Sequence, residues 1–185
     1  DMRHHLRALM SYAQQGKYEE LMDYLQEYAS VMTEEEKVVC YCRNMAVDAV
    51  IHFYAGELRQ RGISFEYDMM LPQNIGISDT DLCKIYGNLL ENAVDAVKEQ
   101  PPESHPYVKV LTKIKNKKLL IEISNPYFNE IQRKDNGFYS TKHDGFGIGT
   151  ASVTEVVQRI GGYVAFSTEE SIFKVNIFLP VKTVQ

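Results

Sequence analysis

Apolar residues in this chain recur first at helical spacing and later at strand spacing, and the changes of period mark out its elements. Met2, Leu6, Leu9, Met10 and Ala13 share one helical stripe, which Gly16 breaks. Tyr18, Leu21, Met22, Leu25, Tyr28, Ala29 and Met32 then repeat at three and four, which predicts an antiparallel helical hairpin turning at Gln15-Gly16-Lys17. Thr33-Glu-Glu-Glu-Lys37 is a charged junction in which Thr33 and Glu36 have the spacing of a capping box. It divides the chain into a hairpin, residues 1–36, and a larger region, residues 37–185.

In that larger region Met45, Val47, Val50, Ile51, Tyr54, Ala55 and Leu58 restore helical periodicity until Gly62. Ile63-Ser-Phe-Glu-Tyr alternates as a strand, and Leu71-Pro72 closes the unit. Ser78 or Asp79 caps a further helix that runs to about Gln100 and stops at Pro101-Pro102. Val108–Ile114 and Leu119–Ile123 predict an antiparallel pair joined through Lys115-Asn-Lys-Lys118, and Tyr163–Ser167 and Phe173–Leu179 predict two more strands. The fold class is α+β: a two-layer α/β sandwich, one mixed sheet with helices on one face, preceded by the hairpin.

Three segments of this frame carry chemistry. Gly145-Phe-Gly-Ile-Gly149 runs into Thr150-Ala-Ser-Val-Thr-Glu-Val-Val-Gln-Arg-Ile, a helical pattern closed by Gly161-Gly162. Glycines let a backbone approach an anion, and a helix start behind them adds positive dipole character, so the N–H groups of Gly145, Gly147 and Gly149 make a candidate phosphate cradle. A glycine run alone has little specificity. Upstream, Asn88, Asn92 and Asp95, with Glu91 beside them, recur at helical spacing, while Leu89, Leu90, Ala93, Val94, Ala96 and Val97 are apolar. A carboxamide stripe on a half-buried helix suits a magnesium ion shared with phosphate oxygens, because Mg²⁺ keeps most of its water and takes few protein oxygens. Solvation alone is the usual fate of a single helical asparagine. The third segment is Ser140-Thr141-Lys142, a common loop string. It lies in the polar, glycine-bearing stretch 127–148, which has the length and irregularity of a lid.

Composition narrows the picture. A hydrophobic fraction of 44% is globular, and a formal charge of −5 without a basic block gives no reason to expect nucleic acid or an anionic membrane surface. Cys40, Cys42 and Cys83 are too few and too irregular for a disulfide framework or a zinc site, which reads as reduced cytosolic thiols. No apolar run approaches the roughly 18 residues of a membrane span. The start at Asp1 rather than at a methionine reads as a piece of a longer protein.

Taken together and in order, these segments resemble the nucleotide site of the GHKL ATPase superfamily, with its Bergerat-type ATP-binding fold. Residues 88–97 match the asparagine box and residues 145–149 the second glycine box. Asn44, Asp48, Asp81-Leu-Cys83, Ser140-Thr-Lys142 and Gly161-Gly162 extend the likeness to sensor histidine kinases of the quorum-sensing, accessory-gene-regulator-like branch, whose regulators carry LytTR domains.

The resemblance implies binding of ATP and Mg²⁺. Asn92 becomes the metal ligand, with Asn88 nearby for metal and phosphate, and Asp95, Ser140, Thr141 and Lys142 join the nucleotide contacts. Asn125 stands where the superfamily has an aspartate that receives the adenine amino group, and Tyr127 where a glycine is expected. A carboxamide still accepts through its oxygen, but it also donates and carries no charge.

Asp1-Met-Arg-His-His-Leu6 matches the pattern that follows a phosphoacceptor histidine, which would therefore precede Asp1; His4 or His5 is the competing acceptor. Asp1 and Glu91 take the catalytic roles. The implied function is the cytoplasmic catalytic region of a membrane-bound two-component histidine kinase, homodimeric through the hairpin and passing its phosphoryl group to a response regulator of LytTR type. The alternatives are a non-catalytic docking module of the same shape and a serine kinase of the anti-sigma type.

Overall fold

The computed structural model describes residues 9–29, 39–98, 100–127, 133–134, 137–138 and 148–181. Chain contacts divide into two units, Asp1–Val39 and Cys40–Gln185. In the first, residues 9–14 form helix α1 and Tyr18–Ala29 form α2. Gly16 joins them at φ 68°, the left-handed conformation that glycine takes without a Cβ penalty. Tyr12 and Tyr24 meet across this hairpin with ring centroids 6.0 Å apart. Asp1, His4, His5 and Thr33 lie outside the described residues.

The second unit is a five-stranded mixed sheet with helices on one face. Helix α3 spans Met45–Gln60, strand β1 Ser64–Met69, helix α4 Asp79–Val97, strand β2 Tyr107–Lys115 and strand β3 Lys118–Pro126. Two-residue strands β4 (Arg133–Lys134) and β5 (Gly137–Phe138) pair with each other, so the stretch expected to be irregular contains a small ladder. Helix α5 (Ile148–Arg159) and strands β6 (Tyr163–Glu169) and β7 (Ile172–Pro180) follow. The sheet order is β1-β2-β3-β7-β6. Only β1 and β2 are parallel, which makes α4 their crossover connection.

Alternation builds the two faces. Val108, Val110, Leu119, Ile121, Ile123, Val175, Ile177 and Leu179 are buried beneath Leu82, Ile85, Tyr86, Leu89, Leu90, Ala93, Val94 and Val97 of α4, Val47, Ile51 and Leu58 of α3, and Val153, Val156 and Val157 of α5. The other face is polar: Lys109 meets Glu66, Lys113 meets Asp68, and Lys174 meets Glu122. Both tight hairpins have two central residues at positive φ, Asn116 and Lys117 in one and Glu170 and Ser171 in the other, matching the twist of antiparallel strands.

Buried polar residues tie the helix starts together. Asn44, fully buried, caps α3 by accepting from the Val47 N–H at 2.9 Å and donates to the Gln73 carbonyl and to Asp79 Oδ1. Ser78 is the cap of α4, its hydroxyl accepting from the Asp81 N–H. Asp48 accepts from the Tyr41 and Cys42 N–H groups at 2.7 and 3.0 Å, holding the segment that leads into α3 against the helix. Among the described residues no helix is long and apolar enough to cross a membrane.

Candidate nucleotide site

Strand directions fix where the helix ends fall. α4 runs opposite to β2, β3 runs opposite to β2, and α5 runs opposite to the β6 strand that follows it. α4 and α5 are therefore antiparallel neighbours. Arg159 at the end of α5 reaches Asp81 near the start of α4, with Nη2–Oδ1 at 2.6 Å and Nη1–Oδ2 at 3.4 Å. Counting back ten residues along α5 to Gly149 and forward eleven along α4 to Asn92 covers a similar length, about 15 Å at 1.5 Å per residue. The second half of α4, the start of α5 and the end of β3 thus converge at one end of the sandwich.

The asparagine-box residues sit on the helix side turned from the core. Glu91 and Asn92 are exposed, and Asn88 and Asp95 are half-buried. Asn92 makes no hydrogen bond among the described residues, so both ends of its carboxamide are available. Asn88 donates back to the Lys84 carbonyl at 2.7 Å, which turns its oxygen outward as the acceptor. Asp95 is held by Lys98 at 2.7 Å, a contact the residue spacing left out. Glu91 lies on the α3 side, where burial first and then the fields of Glu91, Glu57 and Asp95 push the Tyr54 hydroxyl above its usual pKa. Ala96, read as part of the apolar face, is exposed one turn beyond Asn92.

Asn125 is buried near the end of β3 and pairs in register with Phe173. Its Nδ2 donates to the Pro126 carbonyl at 2.9 Å, which leaves Oδ1 as the acceptor end of the carboxamide. α5 begins at Ile148, two residues earlier than its apolar pattern, so Gly149 falls in the first turn. The N–H groups of a first turn have no partner within the helix, which suits an anion. Ser140, Thr141, Lys142, Gly145 and Gly147 lie outside the described residues. Sequence reasoning missed Gln100, whose Nε2 bonds the same Pro126 carbonyl, and Arg159 as the partner of Asp81. Neither pairing follows from spacing, because each joins residues remote in the chain.

Among the described residues no group of three His, Cys, Asp or Glu side chains could hold a metal. The carboxamides of Asn92 and Asn88 are of the donor type that Mg²⁺ takes in small number beside phosphate oxygens and water.

One end of the α/β sandwich thus brings together the exposed carboxamide stretch of α4, the buried Asn125 and the start of α5. A model of the family described as GHKL domain matches residues 77–180, more than half of the sequence, and the chain belongs to that family. It is 24% identical to the sensor protein CitS of Bacillus subtilis (strain 168) over 186 residues, covering 95% of this chain and 33% of CitS. The chain thus spans a third of the length of that relative. The catalytic domain of histidine kinase ThkA superposes with a TM-score of 0.60 at 18% identity, over 74% of this chain and 92% of its own. Full-length ShkA in complex with AMPPNP gives a TM-score of 0.57 at 17% identity, over 82% of this chain and 32% of its own. The fold is that of histidine kinase catalytic domains.

Proposed function

We propose that the chain is the ATP-binding catalytic region of a two-component sensor histidine kinase, preceded by part of its dimerisation hairpin. The observation that carries this reading is the convergence of Asn92, Asn125 Oδ1 and the first turn of α5 at one end of a GHKL domain.

Asn92 and Asn88 hold Mg²⁺, which neutralises phosphate charge when bound. Asn125 receives the adenine amino group, and Gly145, Gly147, Gly149, Ser140, Thr141 and Lys142 enclose the phosphates, with Asp95 at the rim of the site. A histidine ring nitrogen then forms a bond to the γ-phosphorus as the bond to the β-phosphate oxygen breaks and ADP leaves. Asp1 orients that histidine or takes its proton, and Glu91, exposed beside Asn92, is the second carboxylate assigned to the transfer. Positioning and charge neutralisation supply most of such a reaction. The phosphoryl group passes on to an aspartate of a response regulator, of LytTR type by the quorum-sensing resemblance. The domain works at the cytoplasmic side of a membrane-bound homodimer paired through α1 and α2.

Nucleotide titration of Asn92→Ala with and without magnesium tests the site. Loss of the magnesium-dependent part of ATP affinity is expected; unchanged affinity and unchanged metal dependence would remove the assignment. In the full-length protein, γ-labelled ATP should leave an acid-labile, base-stable label, and the opposite stability would point to serine chemistry.

A further inference from the structure

The carboxamide of Gln100 is fixed in one orientation. Its Nε2 donates to the Ala96 carbonyl at 2.8 Å and to the Pro126 carbonyl at 3.0 Å. Both partners are acceptors only, so exchanging N and O would set oxygen against oxygen twice. That leaves Oε1 buried, and among the described residues it is the one buried side-chain N or O atom without a hydrogen-bond partner. A buried unpaired carbonyl is costly and calls for an explanation.

Its location supplies one. Asn125 donates to the same Pro126 carbonyl, so both lone pairs of that oxygen are used and the two carboxamides are locked side by side. Each of them has an oxygen left as an acceptor. Asn92 and Ala96 stand four residues apart on one stripe of α4, and Gln100, just past its end, reaches back to the Ala96 carbonyl. At 1.5 Å per residue α4 runs about 7.5 Å beyond Asn92 to its end at Val97, and Gln100 follows in the turn after it, on the way from the phosphates of a nucleoside triphosphate to its base. Between Asn92 and Gln100 the stripe presents only the methyl group of Ala96.

We infer that Gln100 is a specificity-determining residue: its Oε1 accepts one N–H of the exocyclic amino group of adenine while Asn125 Oδ1 accepts the other. An amino group has two hydrogens, and the site offers two fixed oxygens. A 6-oxo purine would place its own oxygen against them. This inference rests on the nucleotide-site reading above.

The test compares ATP, purine riboside 5′-triphosphate, which lacks the amino group, and inosine 5′-triphosphate. The wild-type protein should bind ATP best and inosine triphosphate worst. Gln100→Met should lower ATP affinity about tenfold while changing purine riboside triphosphate affinity less than twofold. An unaltered ATP-to-purine ratio in Gln100→Met overturns the role of Gln100 and leaves the site standing, whereas a wild-type protein that binds none of the three overturns the site itself. If Gln100→Met does not fold, the Gln100 side-chain NH₂ signals of the wild-type protein decide by NMR. They should shift with ATP and not with purine riboside triphosphate, and the same response to both ligands overturns the inference.

Discussion

Arg159 grips Asp81 through both guanidinium nitrogens, joining the last turn of α5 to the first turn of α4. The hydrogen bond from Arg159 is the main reason the Asp81 carboxyl is held below the usual carboxylate range. A depressed folded-state pKa means that the stabilisation is complete above the unfolded-chain value, roughly 3.9, and is lost as pH falls through the folded value. Asp81→Asn should therefore lower the thermal midpoint modestly at pH 7 and differ less from wild type in acid. Because Arg159 is exposed, added salt should shrink the difference as well. Equal midpoints at neutral pH and low salt would show the pair to be idle.

Tyr86 is fully buried in α4, and its hydroxyl lies 2.8 Å from Thr112 Oγ1, itself buried in β2. Tyr86→Phe leaves the threonine hydroxyl without a partner and should cost about 1–2 kcal/mol in denaturant unfolding. Adding Thr112→Val should restore part of the loss. Additive losses in the double variant would contradict a direct bond.

Gly162 sits where β6 leaves α5, and a Cβ there would stand 2.5 Å from Leu179 Cδ2, 2.6 Å from the Phe178 carbonyl and 3.1 Å from Val157 Cγ1. The Phe178 carbonyl is held in the β6–β7 ladder and has no room to yield. Gly162→Ala should destabilise by about 1–3 kcal/mol, while its neighbour Gly161 meets no atom within 4 Å and objects only through its positive φ. A neutral Gly162→Ala in thermal melts would refute the close approach.

The thiols should separate by reactivity. Burial pushes the Cys42 thiol up to about 11, against a smaller opposing effect of the Asn44 backbone, whereas Cys40 is exposed. Iodoacetamide at pH 8 should alkylate Cys40 in the native protein and reach Cys42 only on unfolding. Equal rates, followed by mass spectrometry, would place Cys42 at the surface.

Much of the sandwich was legible because its signals are local. Alternation at Val108–Ile114, the cap at Ser78, and the stops at Gly62 and Pro101 each act within a few residues, and the observed elements differ from the expected ones by up to three residues at their ends. The order β1-β2-β3-β7-β6 carries no such signature, since pairing Ile121 with Ile177 depends on the whole sheet. The site divides along the same line. Asn88, Glu91, Asn92 and Asp95 share a face because α4 is a helix, and Asn125 was reached through the superfamily's motif. Gln100 entered only as the approximate end of a predicted helix, and its approach to Pro126 is what reveals the buried oxygen.

β3 and β7 are bound by a nine-residue antiparallel register, Lys118 to Pro126 against Pro180 to Ile172. That seam closes without help from the residues that follow, and the Tyr127 N–H is fastened to the Ser171 carbonyl at its end. Closure entropy rises only as the logarithm of length, about 0.6 kcal/mol for each doubling. A change of length between these two anchors should therefore cost the sheet little, and the β3–β7 seam sets no fixed number of residues for the connection.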